Sequence, residues 1–180
     1  MSAKIITQTV GRSPLNREKI LTTALELADS KGLAAISMRN IATRLGVKAM
    51  SLYKHIANKD DVLDGLVEKV IQEIEIPPPG TDWKSAMRLR ASAARNTILR
   101  HPWASVLIES RTAPGENRLK YAESVLNFLK QAGFPVELQY RAFLSIDSYV
   151  YGFVLQEVNW PGRDDERKKV QSGITESFNN

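Results

Sequence analysis

From residue 16 onward, apolar side chains return every three or four positions in segment after segment, and no stretch alternates with the period of two that a half-buried strand requires. That property points to an all-α fold. In residues 16–31, Ile20, Leu21, Ala24, Leu25, Leu27 and Ala28 share one helical face, and Gly32 stands where the helix should stop. Ser37 is placed to cap a short second helix that carries Ile41, Ala42 and Leu45 and ends at Gly46. A third helix is expected over residues 47–56, with Val47, Leu52 and Ile56 turned inward. Two short helices around a glycine-containing turn form the helix-turn-helix pattern.

Asn58 then opens a fourth helix, with Asp60 and Asp61 where negative charge suits the N-terminal dipole. Its apolar stripe runs through Val62, Leu66, Val70 and Ile74 until Pro77-Pro78-Pro79-Gly80 breaks it, and that break is the expected domain boundary. Helical spacing resumes in residues 82–100, 102–110, 117–132 and 135–158, the last opened by Pro135 at its first helical position. In this last helix Leu138, Ala142, Phe143, Ile146, Tyr149, Val150, Phe153 and Val154 cover most of the circumference, so both of its sides should be buried. The expected organisation is a helix-turn-helix domain over residues 1–59, a connecting helix over 60–76 and a second helical domain over 77–180.

Composition narrows the chemistry. The chain has 180 residues and no cysteine, so a thiol nucleophile, a disulfide framework and a Cys-ligated zinc are excluded. Its two histidines, His55 and His101, are far apart in sequence, which weakens metal and triad readings. Phosphate-binding, dinucleotide-binding and zinc-protease loops are missing. Ser51-Leu52-Tyr53-Lys54 matches the S-x-x-K nucleophile pattern, but its partner motifs are absent. No catalytic residue, cofactor or metal is therefore expected. The longest apolar run, residues 150–155, is far short of the ~20 residues that span a bilayer. Residues 1–11 carry no secretory h-region, so the cytoplasm is the expected location.

The net charge of +5 is unevenly placed. Residues 1–59 hold ten Lys or Arg against three acids, a local +7, while the remainder carries −2. A basic first third joined to a slightly acidic rest fits one domain that meets a polyanion and another that does something else. A solvated basic face would give the same balance, so charge alone does not decide.

The decisive stretch is residues 36–66, where Ile41-Ala42, Leu45-Gly46-Val47, Ser51-Leu52-Tyr53, His55 and the run NKDDVLDGL from Asn58 stand in fixed spacing. It resembles the N-terminal DNA-binding domain of the tetracycline-repressor (TetR) family of bacterial transcriptional regulators. In helix order and apolar pattern the resemblance extends over residues 16–159. It implies that Ala49, Met50, Ser51 and Lys54 form the base-reading edge. Arg39, Tyr53, His55 and Lys59 would contact backbone or adjoining bases; Lys48 is a flanking cation suited to a phosphate. A recognition helix needs an adaptable outward surface flanked by cations and donors, and these residue types supply it. Two departures stand out: Lys48 replaces a Ser or Thr cap and opposes the helix dipole, and Ile56 replaces an aromatic.

The resemblance also implies a homodimer on a pseudo-palindromic double-stranded DNA operator, repressing until a small organic effector binds between the C-terminal helices. Trp83, Met87, Trp103, Ile108, Tyr121 and Phe143 are candidate apolar lining, with Asn96, Arg111, Asp147 and Gln156 as polar groups that could orient a ligand. Most such aromatics are simply core. Ile108 stands where the tetracycline receptors hold a histidine over chelated magnesium, so a partly aromatic effector without obligatory metal is expected. The helix over residues 135–158 should supply half of a four-helix dimer interface, with the other half normally a final apolar helix. Here the charged run 163–169 is followed only by Val170, Ile174 and Phe178, which reads as a solvated loop or short helix. A reading from another class is a small helical enzyme or ligand carrier with a vestigial DNA-binding domain, and a salt-dependent gel shift on the chain's own upstream DNA separates the two.

Overall fold

The computed structural model describes residues 14–111 and 115–159. Among these residues it has eight α-helices and no strand: α1 (Arg17–Lys31), α2 (Met38–Leu45), α3 (Ala49–Leu52), α4 (Lys59–Gln72), α5 (Trp83–Arg100), α6 (Ala104–Ser110), α7 (Glu116–Gln131) and α8 (Val136–Asn159). A 3-10 turn, Leu33–Ala35, leads into α2.

The N-terminal helices begin and end on local chemistry. The Asn16, Ser37 and Asn58 side chains accept from the backbone N–H three residues on, at 2.8, 3.1 and 2.9 Å, closing α1, α2 and α4 at their starts. Gly46 ends α2 at φ +66°, a left-handed conformation that needs a residue without Cβ. Gly65 does a different job on α4: a Cβ there would lie 2.5 Å from Leu21 Cδ2, so the glycine lets α1 and α4 approach closely.

Three boundaries differ from the sequence reading. The expected third helix over 47–56 is helical only at Ala49–Leu52, because Lys48 has no side-chain acceptor to cap it and residues 53–55 close as a hydrogen-bonded turn. The His55 and Ile56 N–H groups both reach the Leu52 carbonyl, at 2.9 and 3.0 Å, which still drives Ile56 into the core. Helix α4 stops at Gln72, ahead of the prolines, yet Ile74 stays buried in the turn that follows. Pro135 lies just before α8 rather than inside it, with its carbonyl accepting from Leu138 and Gln139 at 2.9 and 3.0 Å.

One apolar core runs from Ile20 on α1 to Val154 on α8. Helix α4 packs on α1 and also on α6 and α7, while α5, α7 and α8 pack together beyond it. Helix α8 buries Val150, Tyr151 and Val154 on one side. On another it leaves Tyr149 72% and Phe153 48% exposed, their rings stacked 6.0 Å apart. In a single chain the expected two-sided burial is thus half met. The charged run over residues 163–169, with Val170, Ile174 and Phe178 after it, lies outside the described residues.

Candidate functional site

The first candidate surface is built by the helix-turn-helix. Leu52 is fully buried and Ile56 nearly so, which anchors α3 and its following turn and sets their other side toward solvent. Met50 is 75% exposed and Tyr53 47%, and Lys48, Lys54, His55, Lys59 and Arg39 are exposed as well. Ala49 and Ser51 are half-buried beside them. The side chains of Arg39, Lys48, Lys54 and Lys59 form no ion pair among the described residues. Arg17, Arg44 and Lys69 nearby are instead neutralised by Asp61, Glu26 and Glu18. Unpaired cations around the exposed Met50 can bind phosphates without first breaking protein contacts. Lys48 leaves the start of α3 without a side-chain cap, although the Ser51 N–H there donates to the Lys48 carbonyl at 2.9 Å.

The second candidate is a cavity of about 380 Å³, open to the surface and walled by α4, α6, α7 and α8. Ile71, Ile108, Tyr121, Phe143, Asp147 and Tyr151 line it. Its floor is organised by Arg90 on α5, a guanidinium only 1% exposed. Arg90 Nη1 donates to the Tyr121 hydroxyl at 3.0 Å and to Asp147 Oδ1 at 2.6 Å, and Nη2 donates to the same Oδ1. The guanidinium carbon also lies 5.4 and 5.5 Å from the Tyr121 and Phe143 ring centroids. Burial pushes the Asp147 carboxyl up to about 6, against the opposing pull of Arg90. Burial likewise raises the Tyr121 and Tyr151 hydroxyls well above their ordinary value, so both remain neutral donors.

The structure brings four of the ten expected lining residues together here: Ile108, Tyr121, Phe143 and Asp147. The other six are elsewhere, for identifiable reasons. Trp83 packs edge-on against Phe134 at 4.9 Å, and Met87 is core on the same helix. Trp103 donates its indole N–H to Asp29 at 2.8 Å, holding α1 rather than a ligand. Arg111 is drawn to Asp60 at 3.1 Å and to Asp64 at the start of α4. Asn96 and Gln156 face solvent because their helices bury other sides.

Arg90 escaped the sequence reading although its signal was present. Ala86, Met87, Arg90, Ala94, Thr97 and Ile98 are all buried at helical spacing, so a cation sits inside an apolar stripe and needs a buried partner. His101 stands at a helix end, and its role there is long-range. Its Nδ1 lies 2.8 Å from Asp29 on α1 and its Nε2 3.1 Å from Glu73 beyond α4. Burial pushes the Glu73 carboxyl up, but hydrogen bonds from Arg100 and His101 outweigh it and hold the group below its ordinary range. This histidine is therefore consumed by the junction between α1, α4 and α5.

Known proteins share this arrangement. Residues 20–66 match the model of the family described as bacterial regulatory proteins, tetR family, and residues 76–177 match the tetracyclin repressor-like C-terminal domain. A curated HTH-type transcriptional regulator of Saccharopolyspora erythraea is 36% identical over 152 residues, covering 84% of this chain and 64% of the relative. The class C tetracycline repressor protein of Escherichia coli is 31% identical over 160 residues, covering 87% and 73%. The crystal structure of the Streptomyces coelicolor TetR family protein ActR in complex with actinorhodin has a TM-score of 0.78 at 29% identity, covering 91% of this chain and 74% of that one. The chain spans 64% and 52% of the length of two of the curated relatives it matches. With both halves matched by the family's models, the chain belongs to the TetR family of bacterial regulatory proteins.

Proposed function

We propose that this chain is a DNA-binding transcriptional repressor, without enzymatic activity, released from a palindromic operator by a small organic effector. The observation that carries the reading is the α3 surface, an exposed Met50 beside the half-buried Ser51, flanked by cations that no acid neutralises among the described residues. In this reading residues 1–59 hold the DNA, 60–76 connect, and 77–180 take the effector and a second copy of the chain. Arg39, Lys48, Tyr53, His55 and Lys59 position the duplex, while Ala49, Met50, Ser51 and Lys54 read bases. The work is done on cytoplasmic DNA; no helix of the described residues is long and apolar enough to cross a membrane.

A gel shift on the chain's own upstream DNA, run across a salt series, tests it. Lys48→Ala or Lys59→Ala should weaken binding to all sequences alike and reduce the salt slope by about one unit per lost phosphate contact. Met50→Ala or Ser51→Ala should instead change the preference among sequences. If both classes of substitution weaken all sequences equally, α3 does not read bases.

The effector binds in the Arg90–Asp147 cavity without an obligatory metal. Support comes from Ile108, which offers only hydrocarbon to the cavity wall, and from His101, whose two ring nitrogens are engaged by Asp29 and Glu73. That a relative was solved in complex with actinorhodin supports a ligand-binding role for this half of the chain. Calorimetry with tetracycline should therefore give no magnesium-dependent heat; a magnesium-dependent binding isotherm would overturn the metal-free reading.

A further inference from the structure

The Arg90–Asp147 pair is lopsided. Both guanidinium nitrogens donate to the same carboxylate oxygen, Oδ1, and Oδ2 accepts nothing among the described residues. Arg90 is 1% exposed, whereas the Asp147 side chain keeps 14% of its surface and lines the cavity. That oxygen keeps some contact with solvent rather than being sealed in, so a donor entering the cavity can reach it. Tyr121, Tyr140, Phe143 and Tyr151 surround the same space with four aromatic rings. The charges around it cancel: Asp147 and Glu109 lie on the wall with Arg118, and Arg90 stands beneath. Arg118 is itself engaged, donating to the Arg111 carbonyl.

We infer that Asp147 Oδ2 is the polar anchor of the cavity, and that the cavity selects uncharged, planar aromatic ligands bearing a hydroxyl donor while rejecting aromatic carboxylates. This rests on the effector reading above and narrows it to a chemical class. A neutral aromatic hydroxyl supplies what Oδ2 lacks, and a hydrogen bond to an ionised acceptor is among the stronger kinds. An aromatic carboxylate has no proton to donate to Oδ2 and would set a second anion directly beside Asp147. The volume of about 380 Å³ is at the lower end of ordinary ligand sites, which suits a ligand of two or three fused rings.

The test is a matched series on the full chain at pH 7.5, followed by calorimetry or tryptophan fluorescence: 2-naphthol, naphthalene and 2-naphthoate. The expected result is that 2-naphthol binds about tenfold or more tightly than naphthalene, the difference one donor to a charged acceptor makes, and that 2-naphthoate binds more weakly than either. Asp147→Asn should reduce the advantage of 2-naphthol over naphthalene and relieve the rejection of 2-naphthoate. The wild-type series decides the matter irrespective of how well that variant folds. Equal affinity for 2-naphthol and naphthalene, 2-naphthoate binding as tightly as 2-naphthol, or no 2-naphthol binding up to its solubility limit would each overturn the proposal. The regulatory reading fails separately, by the absence of specific operator binding in the gel shift.

Discussion

In the proposed dimer, Tyr149→Glu or Phe153→Glu should leave the chain monomeric at micromolar concentration and weaken binding to a full palindrome by about a hundredfold or more. Both rings sit on the side of α8 that this single chain leaves open, 72% and 48% exposed and stacked on one another. A contiguous apolar patch of that kind is seldom left in water by a soluble monomer. Helix α8 also packs on α5, α6 and α7 through its opposite side, so a second copy of α8 can be added without disturbing the chain's own core. A glutamate in the middle of that contact places an unpaired charge in an apolar seam, which costs several kcal/mol by the usual ~3–5 kcal/mol for a buried charge without a partner. Losing the dimer separates two recognition helices that must meet successive major-groove faces together, and the second half-site is then no longer held at high effective concentration. Sedimentation velocity and a gel shift on the same samples check both consequences. A stable monomeric variant that still binds the full palindrome as tightly as the parent would remove this account of the α8 face.

Arg90→Met should cost about 3–5 kcal/mol of folding stability at pH 8 and clearly less at pH 5. The substitution preserves much of the buried volume but strands Asp147 without its counter-charge, and the Tyr121 hydroxyl without one of its donors. The pH dependence follows from the carboxyl. Its folded value, about 6, is above its ordinary 3.8, so the folded chain holds this proton more tightly than the unfolded one. That contribution to stability is fully present below the unfolded value and is lost as pH rises through about 6. Removing Arg90 takes away the main effect holding the value down, so in the variant the carboxyl is protonated and neutral at pH 5 and the penalty for an unpaired charge largely disappears. Urea unfolding of both proteins at the two pH values measures the difference. The double variant Arg90→Met with Asp147→Leu should recover most of the loss at pH 8, because a well-packed apolar pair replaces a buried ion pair at little cost. Equal losses at pH 5 and pH 8 would show that Asp147 is not the group left stranded.

The two candidate sites differed in how readable they were. Arg39 and the residues from Lys48 to Lys59 lie within one short stretch of chain, so their spacing alone puts them on one surface once the helix-turn-helix forms. The cavity draws its walls from four helices and its floor from a fifth. Asp147 was reached by residue type; Arg90, 57 positions earlier, completes the pair and was not singled out. Asn96, Arg111 and Gln156 have equally suitable chemistry, and nothing local separates them from Asp147.

Features that depend on neighbours a few residues away were legible in the chain alone: helical period, the Ser37 and Asn58 caps and the left-handed stop at Gly46. Each is a bond or a steric limit within about one helical turn, so it holds wherever the segment lies. Packing settled which side of α8 is covered, where His101 finds Asp29 and Glu73, and that Arg90 meets Asp147 rather than water. These outcomes depend on how whole helices rotate and pack against one another, and a given side chain's partner is then set by contacts whose separation along the chain carries no periodic mark.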